Sequence, residues 1–141
     1  MLVGQPVSHV WFGDHSALYL ELGKLTQRTR RDGAPGNPEG ENTVYAAFDW
    51  RVEGWQSILG SSSDEQTHRI ALAQSLLGAT INSARLHGHV PELQLGFSNN
   101  LWLATFNLSK GQPDWYVSFR SGQTVHLCIE NGVLAVDRRD S

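Results

Sequence analysis

The chain has 141 residues, a net charge of −3 at pH 7 and 40% hydrophobic residues. That length suits one domain burying roughly two-thirds of its unfolded surface, with no metal or disulfide needed to fold. The mild acidity argues against nucleic acid as a partner, because a nucleic-acid binder carries a basic stripe. The one dense basic run, Arg28, Arg30 and Arg31, sits beside a Gly/Pro-rich stretch and reads as a solvated loop edge.

Met1 to Val10 shows neither a basic head nor an apolar run of signal-peptide length. No stretch approaches the roughly 20 apolar residues that span a bilayer. Cys128 is the only cysteine, which excludes an intrachain disulfide and fits a reducing compartment. A cytoplasmic protein is expected, with no membrane partner.

In chain order, residues 17–25 alternate, with Leu18, Leu20 and Leu22 on one side and Tyr19 and Glu21 on the other. Period-two alternation marks a half-buried strand. Residues 28–41 follow, with Pro35, Pro38, Gly33, Gly36, Gly40 and six charges. They cannot build a core strand and predict a flexible loop. Residues 43–50 alternate again, placing Val44, Ala46, Phe48 and Trp50 on one face.

Residues 63–77 break the strand pattern. Ser62 and Glu65 have capping-box spacing. Ile70, Ala73, Leu76 and Leu77 recur at helical spacing, and Gly78 stands where a left-handed C-cap is wanted. Strands resume at 92–97, 101–108, 115–119 and 124–130. Turns are expected at Ser98-Asn99-Asn100 and Ser121-Gly122. Asn131-Gly132 predicts a tight hairpin, since both residues tolerate positive φ.

The halves echo each other, over residues 6–61 and 79–137. Ser8, Gly13, Leu18, Leu20 and Leu22 recur 75 residues later as Ser83, Gly88, Leu93, Leu95 and Phe97. Val44, Ala46 and Phe48 recur 58 residues later as Trp102, Ala104 and Phe106, and Trp55 is echoed by Trp115. The expected fold is α+β and predominantly antiparallel. Two similar β units, forming a roll, sandwich or barrel-like body, are joined by one central helix.

The twice-used pattern, a Gly followed by Leu-x-Leu-x-Leu/Phe, a further strand and a Trp-led strand, resembles that of small bacterial proteins of unknown function. Some of those are similar to immunity proteins of bacterial competition systems. The resemblance covers most of the chain, rests on structural positions, and carries over no functional residue.

Two constellations bear on chemistry. His87, His89 and Glu92 cluster locally, and His126 on another strand would complete a metal-binding set. The set departs from the cupin motifs in the gap before Glu92 and in lacking a Pro-x-Gly before His126. Trp11, Trp50 and Trp102 are the candidate partner anchors, while Trp55 and Trp115 are assigned to the core. Cys128 shares a strand face with His126, and a buried structural thiol is the expectation. Asp14-His15 and Asp49 supply scattered carboxylates. No dinucleotide, P-loop, zinc-finger or zincin pattern occurs.

No cofactor is expected. The leading reading is a non-catalytic, regulatory or immunity-type binder of another protein. The alternative is a small metal-dependent or ligand-binding β protein using the His cluster. Homo-oligomerisation through open sheet edges is a third route.

Overall fold

The computed structural model describes residues 2–108, 110, 115–120, 124–130 and 132–139. Among the described residues there are eleven strands: β1 (Val7–Phe12), β2 (Leu18–Leu22), β3 (Asn42–Ala46), β4 (Trp50–Gly54), β5 (Ser57–Ser61), β6 (Ile81–His87), β7 (Glu92–Phe97), β8 (Trp102–Thr105), β9 (Trp115–Phe119), β10 (Thr124–Glu130) and β11 (Val133–Arg139). One helix, α1 (Gln66–Leu76), stands between β5 and β6. The antiparallel α+β class with a central helix is as the alternation required.

Two open sheets share one core. The first has the order β1-β2-β3-β9-β10-β11 and the second β5-β4-β8-β7-β6. Counting β6 to β10 as a second set of five, the first sheet runs one-two-three of the first set, then four-five of the second. The second sheet runs one-two-three of the second set, then four-five of the first. Each half therefore lends its last two strands to the other half's sheet. Pro6 and Thr80 form an antiparallel bridge where the opening strands of the two sets come together.

The leucine faces turn inward as expected. Leu18, Leu20, Leu22 and Leu95 are 0% exposed, and Leu93 is 3%. Each such side chain contributes about 1.5–3 kcal/mol of burial free energy. Val44, Val52, Leu103, Trp115 and Ile129 complete the centre of the core.

Registers correct the sequence alignment of the halves. Leu20 pairs with Val44, and Leu95 pairs with Leu103. Val44 thus corresponds to Leu103 and Ala46 to Thr105, one residue beyond the 58-residue offset. A one-residue slip flips every side chain to the other face, so the match of Val44 to Trp102 set a core residue against an outer one. Trp50 pairs with Thr105, and Trp115 pairs with Ala46. Trp115 therefore corresponds to Trp50, not to Trp55, which is 79% exposed at a hairpin tip.

The correspondence extends to hydrogen bonds. The Trp50 indole donates to the Ser16 carbonyl at 2.8 Å, and the Trp115 indole to the Pro91 carbonyl at 3.1 Å. Each acceptor lies two residues before the first inward leucine of its strand, Leu18 or Leu93.

The helix is shorter than 63–77, and no capping box forms. The Ser62 hydroxyl instead accepts from Trp50 N at 3.1 Å. Leu72 and Leu76 face the core, whereas Ile70 and Leu77 are exposed. Arg69 is half-buried and donates to Ser16 Oγ at 2.6 Å. Helix α1 packs on β1 and β5. Residues 43–46 lie in β3 and Trp50 opens β4, with Phe48, expected on the core face, 50% exposed between them. The 28–41 segment folds back on itself through bridges Thr26–Glu39 and Thr29–Pro35. The terminal hairpin forms, with Glu130 paired to Val133 and Gly132 at φ 75; Asn131 and the Ser121-Gly122 turn lie outside the described residues. No described helix is long and apolar enough to cross a membrane.

Candidate functional site

The strand alternation that sends leucines inward sends a different set outward. On the first sheet the outward row across β1, β2, β3, β9 and β10 is Trp11, Tyr19, Tyr45, Tyr116 and Cys128, each directly opposite the next. Trp11 stacks on Tyr19 with centroids 3.8 Å apart and planes at 8°. Tyr19 meets Tyr45 edge-on at 4.9 Å, and Tyr45 stacks on Tyr116 at 4.6 Å. Tyr116 leans on His126 at 4.4 Å. Five rings thus cross five strands, all half-buried on the side away from the core. Cross-strand aromatic pairs each add about 0.5–1.5 kcal/mol beyond area burial.

A polar row runs beside them: His9, Glu21, Thr43, Ser118, His126 and Asp137, again in direct register. Glu21 is 4% exposed. Its carboxylate accepts from the Trp11 indole at 3.1 Å, from Gly40 N at 3.1 Å and from Thr43 Oγ1. Arg120 donates to Thr43 Oγ1 at 2.7 Å and to the Gly40 carbonyl at 3.1 Å, and its Nε lies 3.0 Å from Glu39. Ser118 Oγ and His126 Nδ1 are 2.8 Å apart. A buried carboxylate is tolerable only with such partners. The network pins the Gly40 end of the 28–41 segment to the sheet, and His9 Nε2 meets Asn37 Oδ1 at 3.0 Å on the same segment.

Burial, with the fields of Tyr19, Glu21 and Tyr45 behind it, pushes the Tyr116 phenol well above its ordinary value, against the pull of Arg120. Burial also raises Tyr19, helped by Tyr45, Glu21 and Asp14. Both phenols stay neutral at physiological pH and act as hydrogen-bonding hydroxyls on an apolar frame.

The second sheet's outer face differs. The positions matching Trp11, Tyr19, Tyr45 and Tyr116 hold Arg85, Gln94, Ala104 and Arg51. Arg85 donates to Gln94 at 2.7 Å, and Arg51 pairs with Glu53 at 2.6 Å while lying over Phe106. The cores of the two sheets match; their outer faces do not.

The proposed metal set is not assembled. His87 and His89 are exposed beside the β6–β7 turn. Glu92 pairs with His87 across that hairpin, but its carboxylate accepts from Thr105 Oγ1 at 2.8 Å and Asn107 N at 2.6 Å. His126 belongs to the other sheet. Among the described residues no three His, Cys, Asp or Glu side chains gather as metal ligands.

The three tryptophan anchors separate. Trp11 opens the ring ladder. Trp50 is 1% exposed and presents no surface. Trp102 is half-buried on the second sheet's outer face, its ring against Gly96. Sequence reasoning passed over Tyr19, Tyr45, Tyr116, Glu21, Thr43 and Ser118. The available signal was that these residues fill the non-core parity of three strands. Cys128 is buried, 7% exposed, opposite Tyr116.

The molecule is a two-sheet antiparallel α+β domain with one aromatic, hydrogen-bonding outer face. No protein-family model, curated protein or solved structure matches the chain.

Proposed function

We propose that this chain is a non-catalytic binding module, of regulatory or immunity type, that engages another protein through the outer face of the six-stranded sheet. The observation that carries the reading is the five-ring row from Trp11 to His126. The core is already complete on the other side of the same strands, so these rings are not required to fill it. Tyr and Trp are enriched at protein interfaces, where they offer rigid area and a polar handle at low entropy cost. The second sheet, built on the same strand order, carries Arg85, Gln94, Ala104 and Arg51 at those positions, with no aromatic ring among them. The net charge of −3 favours association with a basic partner.

We also read the two halves as copies of one ancestral unit. The shared strand order, the matched registers and the paired indole-to-carbonyl bonds support that. In this reading the outer face of one sheet diverged for binding, while the core stayed under packing constraint.

The test uses a photo-crosslinking amino acid at Tyr19 or Tyr45, compared with the equivalent position Gln94 on the second sheet, in source cells. A discrete protein adduct from Tyr19 and Tyr45 with none from Gln94 is expected. Adducts of equal yield from both faces, or none from either, would refute it.

A further inference from the structure

Strand β11 stands outside the paired sets of five, at the edge of the first sheet. The other three edge strands are each interrupted by one unpaired residue. Ser8 is skipped in β1, Leu59 in β5 and Asn82 in β6. Such bulges blunt an edge against pairing with another chain. Helix α1 also packs on β1 and β5, and residues 4–7 bond to 78–81 beside β6. Among the described residues β11 has none of these protections. Its pairing with β10 runs from Thr124–Arg139 to Glu130–Val133 without a shift. It contains no proline, and no described strand takes its other edge.

The side chains of β11 continue the core face past the point where the second sheet covers it. Leu134 lies opposite Ile129 and Val136 opposite Leu127, both on the inner side. Yet Leu134 is 40% and Val136 54% exposed. Nearby, an apolar cavity of about 320 Å³ is lined by Leu2, Leu86, Leu93, Phe119 and Leu127 among others.

We infer that β11 pairs antiparallel with β11 of a second copy of this chain, on a twofold axis through Val136 perpendicular to the sheet. In that register Val136 faces Val136 of the second copy, Leu134 faces Arg138, and Ala135 faces Asp137. Apolar meets apolar at the centre, the aliphatic stem of Arg138 covers Leu134, and no like charges stand directly opposite. A strand of another protein would need the same parity of apolar residues; this chain already supplies it. Because the axis is perpendicular to the sheet, both aromatic faces lie on the same side of one twelve-stranded sheet. Seven residues span about 23 Å of edge. So short a seam sets the dimer among weak, transient associations.

Sedimentation velocity from about 5 to about 300 µM covers the range of such an affinity. The weight-average mass is expected to rise toward twice that of the monomer. Val136→Lys holds it at the monomer value, and Ile58→Lys on the bulged β5 edge leaves the wild-type behaviour. Paired residues across an antiparallel ladder have Cα atoms about 4.5–5.5 Å apart, within disulfide reach. Oxidised Val136→Cys in a Cys128→Ser background therefore forms a covalent dimer, whereas Ile58→Cys in the same background does not. That second measurement decides the matter if Val136→Lys fails to fold. A constant monomer mass, a dimer that survives Val136→Lys, or equal cross-linking from Ile58→Cys overturns the inference.

Discussion

Trp50 and Trp115 allow the matched halves of the core to be weighed against each other. They are 1% and 0% exposed, and each indole N–H donates to a carbonyl just ahead of a leucine strand. Replacing either by Phe removes that bond and orphans the carbonyl, at a cost of about 1 kcal/mol. It also removes part of a ring from a closed core, which costs about a further 1–2 kcal/mol by comparison with the 3–5 kcal/mol of full Trp→Ala truncation. The expected loss is about 2–3 kcal/mol for each, with the two values within about 1 kcal/mol of one another. At a urea dependence of about 2 kcal/mol/M, the midpoint falls by about 1–1.5 M. Trp55→Ala, at the exposed hairpin tip, stays within about 0.5 kcal/mol of wild type. Urea unfolding followed by far-UV circular dichroism measures all three independently of the tryptophan signal being altered. The reasoning fails if Trp55→Ala costs as much as Trp115→Phe, or if either buried Phe variant keeps the wild-type midpoint.

Two further variants probe the outer face. The Tyr116 phenol is raised in the folded chain, so above about pH 10 the unfolded chain loses a proton that the folded one keeps, and stability falls as pH rises from there. Tyr116→Phe is expected to flatten this alkaline decline in a series of thermal melts between about pH 9 and 12; parallel declines would contradict the assignment. Gly40→Ala puts a Cβ into the backbone N and O of Leu22. It also disturbs the bonds that Gly40 makes to Glu21 and Arg120. A loss of about 2–4 kcal/mol is expected, together with a shift in the fluorescence of Trp11, whose indole shares the Glu21 carboxylate; an unchanged melting temperature would show that the loop end is not pinned as described.

The strands carrying Leu18, Leu20, Leu22, Leu93 and Leu95 were legible because one face of each is buried, and burial of one face writes period two into a strand. The edge strands β5 and β6 were not. Ile58, Leu59 and most of β6 are exposed, so no inward pattern is imposed on them. The helix showed its position but not its buried face. Leu72 and Leu76 were chosen by where α1 lies against β1 and β5, and Ser62 was claimed by Trp50 before it could cap. The histidine cluster failed for a similar reason. Proximity of His87, His89 and Glu92 in the chain says nothing of Glu92 being held by Thr105 and Asn107 from across the sheet.

By itself the chain determined its class, its leucine core and the position of its helix, because alternation and helical spacing are local records of which side meets water. Partnership between strands distant in sequence was left to the tertiary structure. Only there do β9 and β10 join β3, bringing Tyr116 and His126 alongside Trp11, Tyr19 and Tyr45. The same exchange makes Trp50, not Trp55, the counterpart of Trp115. A single residue of register separates the match of Val44 to Trp102 from its match to Leu103, and register is set by hydrogen bonds across strands, which no reading along one strand contains.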